Sequence, residues 1–221
     1  MPILPKEVKT VIAALQNAGY SPYLVGGCVR EMLRGKEPSD YDMTSDAPPE
    51  EVLRIFGESA HPTGLRHGTV TVVSGGLPIE LTTMRRDGAY RDNRHPDSVT
   101  FGTSIEEDLA RRDFTVNAIA LAPTGAFIDP FGGQEDLKAG VLRCVGEAVR
   151  RFEEDALRIL RALRRGDEDL PRGAAAGLHR SVPRSPVCAD EPSQGSGREE
   201  TQGILLRPSP DSRGRSQVPS R

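Results

Sequence analysis

A chain of 221 residues with 36% hydrophobic and 28% charged side chains holds enough apolar surface for one or two modest domains. Its net charge of −3 excludes a generally basic nucleic-acid binder, so any such contact needs a local basic patch. No apolar run reaches the roughly 18 residues of a membrane span, the N-terminus shows no signal pattern, and three scattered cysteines fit buried thiols of a reducing, cytoplasmic compartment.

In chain order, residues 5–18 place Val8, Val11, Ile12 and Leu15 at helical spacing before Gly19. Tyr23–Val25 reads as a strand ending in Gly26-Gly27, with a helix over 28–34 closed by Gly35. Tyr41–Thr44 is a second strand, and Pro48-Pro49 opens a helix to Phe56 with Ser45 or Asp46 near its N-cap. Thr69–Val73 and Leu77–Thr83 form a hairpin around Gly75-Gly76. Residues 84–97 are polar and marked by Gly and Pro, a loop pattern. Asn117–Leu121 and Ala126–Ile128 read as a further strand pair. Residues 147–164 read as one long helix with Phe152, Ala156, Ile159, Leu160 and Leu163 along one side. After Arg164 the chain lacks Phe, Tyr, Trp, Met and Lys and is rich in Pro, Ser, Gly and Arg. That composition cannot offset its ordering entropy, so a disordered tail is expected.

Three constellations carry chemistry. Gly26-Gly27 lets backbone approach a phosphate just before a helix N-terminus, and Arg30 one turn later can reach the same anion. Taken alone, the pair also fits a turn packing a strand on a helix. Asp40 and Asp42 lie two apart, hence on one strand face, and together suit hard Mg²⁺ at a phosphoryl- or nucleotidyl-transfer site. Glu80 adds a third carboxylate if its strand lies beside theirs; otherwise it is a solvent-facing strand residue. Arg111-Arg112-Asp113, with Asn117 following, offers forked donors for phosphate and an acceptor for a ribose hydroxyl, or simply a cap beside solvated arginines. Asp155 and Arg158, at i and i+3, present an acceptor and a donor fork that suit either a base edge or a surface ion pair.

The stretches YLVGGCVREMLRGKEPSDYD, HGTVTV, IELTTMRRDGAYRDNRHPDSVTFGTSIEEDLARRDFTVNAIA, FIDPFGGQEDL and RRFEEDALRILRALR together resemble the bacterial-type (class II) tRNA nucleotidyltransferase and poly(A) polymerase family. The resemblance covers residues 10–164. It implies an α+β, polymerase-beta-like nucleotidyltransferase head over 1–143, the start of a helical neck with the nucleotide-reading helix over 144–164, and the tail over 165–221. It also implies that Asp40 and Asp42 bind Mg²⁺, and that Gly26, Gly27 and Arg30 face a triphosphate. Arg112 and Asp113 would sit at the ribose with Asn117 nearby, and Asp155 and Arg158 would read the base of CTP or ATP. Residues 84–97 match the mobile loop used in switching to ATP, and Asp129–Gly133 match the hinge before the reading helix. The implied reaction is attack of a tRNA 3′-OH on the α-phosphate, with loss of pyrophosphate. Poly(A), CC-only or A-only addition are alternatives, as is a non-catalytic nucleotide- or RNA-binding remnant; a metal-dependent phosphohydrolase has no His-rich cluster to favour it. The chain departs from the family after Arg164, where an out-of-frame reading of a GC-rich gene would give the observed Arg/Pro/Gly/Ser/Ala bias. Loss of RNA-holding domains would remove phosphate contacts and leave the neck helix with an exposed apolar side.

Overall fold

The computed structural model describes residues 3–88, 98–102 and 104–169, with Asp87 and 165–169 described by their backbone alone. Among the described residues, α-helices and strands follow one another, with short 3₁₀ turns between some of them: α1 (Lys6–Asn17), β1 (Pro22–Val25), α2 (Gly27–Leu33), β2 (Tyr41–Ser45), α3 (Pro49–Phe56), β3 (Ala60–Gly64), β4 (Thr69–Ser74), β5 (Leu77–Thr83), β6 (Arg85–Asp87), β7 (Val99–Phe101), α4 (Ile105–Ala110), β8 (Ala120–Leu121), β9 (Phe127–Ile128), α5 (Gly133–Ala139), α6 (Ala148–Glu154) and α7 (Leu157–Asp169). Seven strands form a mixed sheet in the order β3-β4-β5-β2-β1-β8-β9, and β6 pairs β7 as a separate ribbon. Only the β2–β5 contact is parallel; the other ladders of both sheets are antiparallel. No helix among the described residues is long and apolar enough to cross a membrane.

Strand periodicity decides which sheet face becomes core. Leu24, Tyr41, Met43, Val70, Val72, Ile79 and Leu81 point to one side and join Val8, Val11, Leu15, Val29 and Val52 from α1, α2 and α3. Their neighbours Val25, Asp42, Thr69, Glu80 and Thr82 point to the other side. There α4 covers the β1–β8 end through Leu109, Ile105, Ala118, Ala120 and Val145. A third cluster, Phe114, Val116, Leu142, Cys144, Phe152 and Ala162, packs α6 and α7 onto this body. Cys28 and Cys144 are both buried thiols.

Several elements depart from their sequence pattern. The N-cap of α3 is Pro48 and makes no side-chain cap; Asp46 instead accepts from the Ser21 amide at 2.7 Å and Ser45 Oγ from the Ala47 amide at 3.2 Å. Only Ala120–Leu121 of the predicted Asn117–Leu121 strand pairs, because Thr115–Asn117 coils into a 3₁₀ turn. The predicted loop contributes Arg85–Asp87 to the ribbon with Val99–Phe101; residues 89–97 lie outside the described residues. The expected helix over 147–164 is two helices, broken where Asp155 adopts φ −145°, ψ 103°. The second runs to Asp169, past the 164 boundary; the remainder of the expected tail, 170–221, lies outside the described residues.

Candidate active site

The sheet face left uncovered by α4 carries the acidic residues. Asp42 on β2 is the register partner of Glu80 on parallel β5, so the strand adjacency that a third carboxylate requires is present. Val25 sits opposite Asp42 on the other side. These side chains floor an open cavity of about 210 Å³, lined also by His67, Thr69, Thr82, Arg85, Arg111 and Arg112. Asp40 stands exposed one residue before β2 begins, accepting from Ser39 Oγ at 3.3 Å. The carboxyl of Asp42 is pushed up to about 6: burial raises it most, then the charges of Asp40 and Glu80, against the lowering effect of Arg112. Asp42 and Glu80 are the carboxylates lining the cavity, oxygens of the kind a hard divalent cation favours; Asp40 is not in that lining, and among the described residues no group of three or more His, Cys, Asp or Glu is placed to hold an ion.

Gly26 closes this floor. Its φ of 71° with ψ −135° is a conformation reserved for glycine. A Cβ there would also lie 3.3 Å from Asp42 Oδ2 and 3.5 Å from Arg112 Nη1. Gly27 follows as the first residue of α2. Arg30 is not among the residues lining the cavity. It is 3% exposed, and Nη1 donates to Asn117 Oδ1. Asn117 Nδ2 in turn donates to Asp113 Oδ1 at 3.1 Å, which also accepts from the Phe114 amide at 2.8 Å. Arg30 and Asn117 therefore orient Asp113 from behind.

Sequence reasoning gave Asp108 no role, yet it holds the arginine pair. It is fully buried on α4, whose start is fixed by a Ser104–Glu107 capping box. Arg111 donates to Oδ1 through Nε and Nη2 at 3.0 and 2.8 Å, and Arg112 Nη2 to Oδ2 at 3.0 Å. Burial pushes the Asp108 carboxyl up, but the charges and hydrogen bonds of Arg112 and Arg111 outweigh it, and the net shift is downward. Arg112 Nε is buried with no hydrogen-bond partner among the described residues. The available signal was spacing: Asp108 precedes the two arginines by three and four residues, one helical turn.

Asp155 and Arg158 are not among the residues lining the cavity, and the Arg158 amide donates to the Asp155 carbonyl at 3.0 Å. Asp155 Oδ1 accepts from the Leu157 amide at 2.9 Å, opening α7. Arg158 Nη1 donates to Glu154 Oε2 and to the Arg151 carbonyl, each at 3.1 Å. Arg161 joins the two regions, 3.6 Å from Asp155 Oδ2 and 3.8 Å from Asp113 Oδ2. The Asp129–Gly133 turn leads into α5 rather than the helix that precedes Asp155, with the Asp129 carboxylate accepting from the Gly133 and Gln134 amides at 2.7 and 2.9 Å.

Comparison with known proteins places this geometry. The poly A polymerase head domain family matches residues 22–143. A CCA-adding enzyme of Geobacillus thermodenitrificans is 52% identical over 154 residues, 70% of this chain and 38% of the relative. The crystal structure of a Bacillus stearothermophilus CCA-adding enzyme in complex with CTP superposes with a TM-score of 0.66 at 46% identity, over 73% of this chain and 39% of that one. A tRNA nucleotidyltransferase complexed with a primer tRNA and an incoming ATP analog gives a TM-score of 0.57 at 35% identity, over 78% and 49%. The chain thus spans about two-fifths of the length of the first of these relatives. With a mixed sheet carrying paired carboxylates beside a Gly-Gly turn, and with more than half its length matched, the chain belongs to the poly A polymerase head domain family, whose fold is the polymerase-beta-like nucleotidyltransferase head.

Proposed function

We propose that this chain carries the catalytic head of a template-independent RNA nucleotidyltransferase that adds CCA to tRNA 3′ ends from CTP and ATP. The observation that carries the reading is the Asp42–Glu80 register with Asp40 beside it, set against Gly26 and Arg112. Asp40, Asp42 and Glu80 would hold Mg²⁺, which when bound activates the 3′-OH and stabilises charge on the departing pyrophosphate. Gly26 and Gly27 leave room for the triphosphate to approach the backbone, and Arg112, fixed by Asp108, supplies its counter-charge. Asp113, oriented by Asn117 and Arg30, accepts from the ribose. Asp155 and Arg158 present the acceptor and donor of the base-reading pair, which requires exchanging the partners they hold in this structure. The organisation is a head over 1–143 followed by the start of a neck over 144–164, in a cytoplasmic protein. The same carboxylate geometry serves poly(A), CC-only or A-only addition, which the family match also supports; base choice separates these.

The test is incorporation of labelled nucleotide into RNA in Mg²⁺ by the full chain and by Asp42→Ala. Incorporation that falls by at least about a hundredfold in the variant is expected for loss of a metal-binding catalytic carboxylate. Undiminished incorporation contradicts the assignment.

A further inference from the structure

The strand order fixes which side of the carboxylates each group occupies. Asp42 and Glu80 lie on the central β2–β5 pair. The Gly26-Gly27 turn follows β1 on one side, while Thr69 on β4 and His67 just before it lie on the other. In phosphoryl transfer the attacking and leaving oxygens are roughly in line through phosphorus. A triphosphate seated at Gly26 and Arg112 sends pyrophosphate out over β1, so the attacking hydroxyl enters over β4.

The β4 rim has a distinct composition. A 3₁₀ turn at Leu65–His67 exposes all three of its side chains, Leu65 by 48%. Phe101 on β7 is 42% exposed and sits against Gly68, where a Cβ would lie 2.6 Å from its Cε1. Phe101 is the register partner of Arg85, so both side chains project from one face of the ribbon. Arg85 lines the cavity and donates through Nη1 to the His67 carbonyl. A half-exposed aromatic ring on the same ribbon face as cavity-lining Arg85, packed beside Gly68 two residues after exposed Arg66, has the chemistry of a single-stranded nucleic-acid platform: a base stacks on the ring and cations meet the backbone.

We infer that this rim seats the acceptor strand, a single-stranded RNA 3′ end whose terminal base stacks on Phe101 while Arg66 meets its phosphates. The inference rests on the nucleotidyltransferase reading, which sets the direction of attack.

Two measurements on the full chain test it. The first is steady-state incorporation with Phe101→Leu, which keeps apolar bulk over Gly68 but removes the stacking face, and Phe101→Tyr, which restores the face. The expected result is a rise of about tenfold in the KM for RNA in Phe101→Leu, an unchanged KM for nucleotide, and recovery in Phe101→Tyr. An RNA KM unmoved by Phe101→Leu, or a nucleotide KM that rises with it, overturns the assignment. The second uses no turnover: a short single-stranded RNA with a photoreactive 4-thiouridine at its 3′ end is crosslinked and the adduct mapped. An adduct within Leu65–His67 or at Phe101 supports the seat. An adduct on Gly27–Leu33, or none, overturns it. A chain that crosslinks at the rim but incorporates nothing refutes the catalytic reading while leaving the RNA seat in place.

Discussion

Asp42 shows how one residue carries both the cost and the purpose of the site. Its carboxyl is pushed from an ordinary 3.8 to about 6, so the folded protein holds this proton more tightly than the unfolded chain does. The group therefore favours folding in its protonated form, and that contribution is lost as pH rises from 3.8 through 6. At neutral pH the ionised carboxylates repel one another, a cost that the proposed divalent cation would relieve. Asp42→Asn should raise the thermal midpoint at neutral pH in chelator and change it little near about pH 4. Mg²⁺ should stabilise the parent chain at neutral pH more than near about pH 5, where it must displace the proton, and the variant much less. Scanning calorimetry across pH, with and without Mg²⁺, reads both; equal Mg²⁺ stabilisation of parent and variant would contradict them.

At the scale of elements, what was legible in the sequence was what periodicity encodes. Tyr41 and Met43 buried against Asp42 on the opposite face follow directly from alternation, as does the β4–β5 hairpin. Three features were not legible. β3 is an edge strand of mostly exposed residues containing Pro62, paired irregularly with β4, and such a strand has no apolar pattern to read. The α6–α7 break hides because Phe152, Ile159 and Ala162 keep a helical apolar period across it, while the cause is local: the Asp155 side chain competes for the Leu157 amide. The Arg30–Asn117 contact spans 87 residues, so spacing alone could not reveal that pairing. Helix α4 matters as the mount of the arginine pair. Asp108→Ala should cost about 3 kcal/mol, because it strands two guanidinium groups around a buried site, measurable by urea denaturation. Since the Asp108 carboxyl sits below its ordinary 3.8, its contribution is present above that pH and fades as pH falls through the lower folded value, so parent and variant should converge in strong acid. A constant difference down to about pH 2 would contradict this.

For the whole molecule, the sheet works as a divider. One face is filled by α1, α2 and α3; the other is split between the α4 core and the acidic cavity. α6 and α7 pack on the body through Phe152 and Ala162, yet Leu157, Leu160 and Leu163 remain 38%, 62% and 37% exposed. The acidic cavity lies within the matched residues 22–143, and Arg161 on α7 lies near both Asp155 and Asp113. The most direct measurement supplies the full chain with Mg²⁺, CTP, ATP and a tRNA lacking its terminal CCA, and sequences the 3′ ends of the products. Addition of C, C and A followed by arrest is the predicted result. A run of A, or no addition at all, would contradict it.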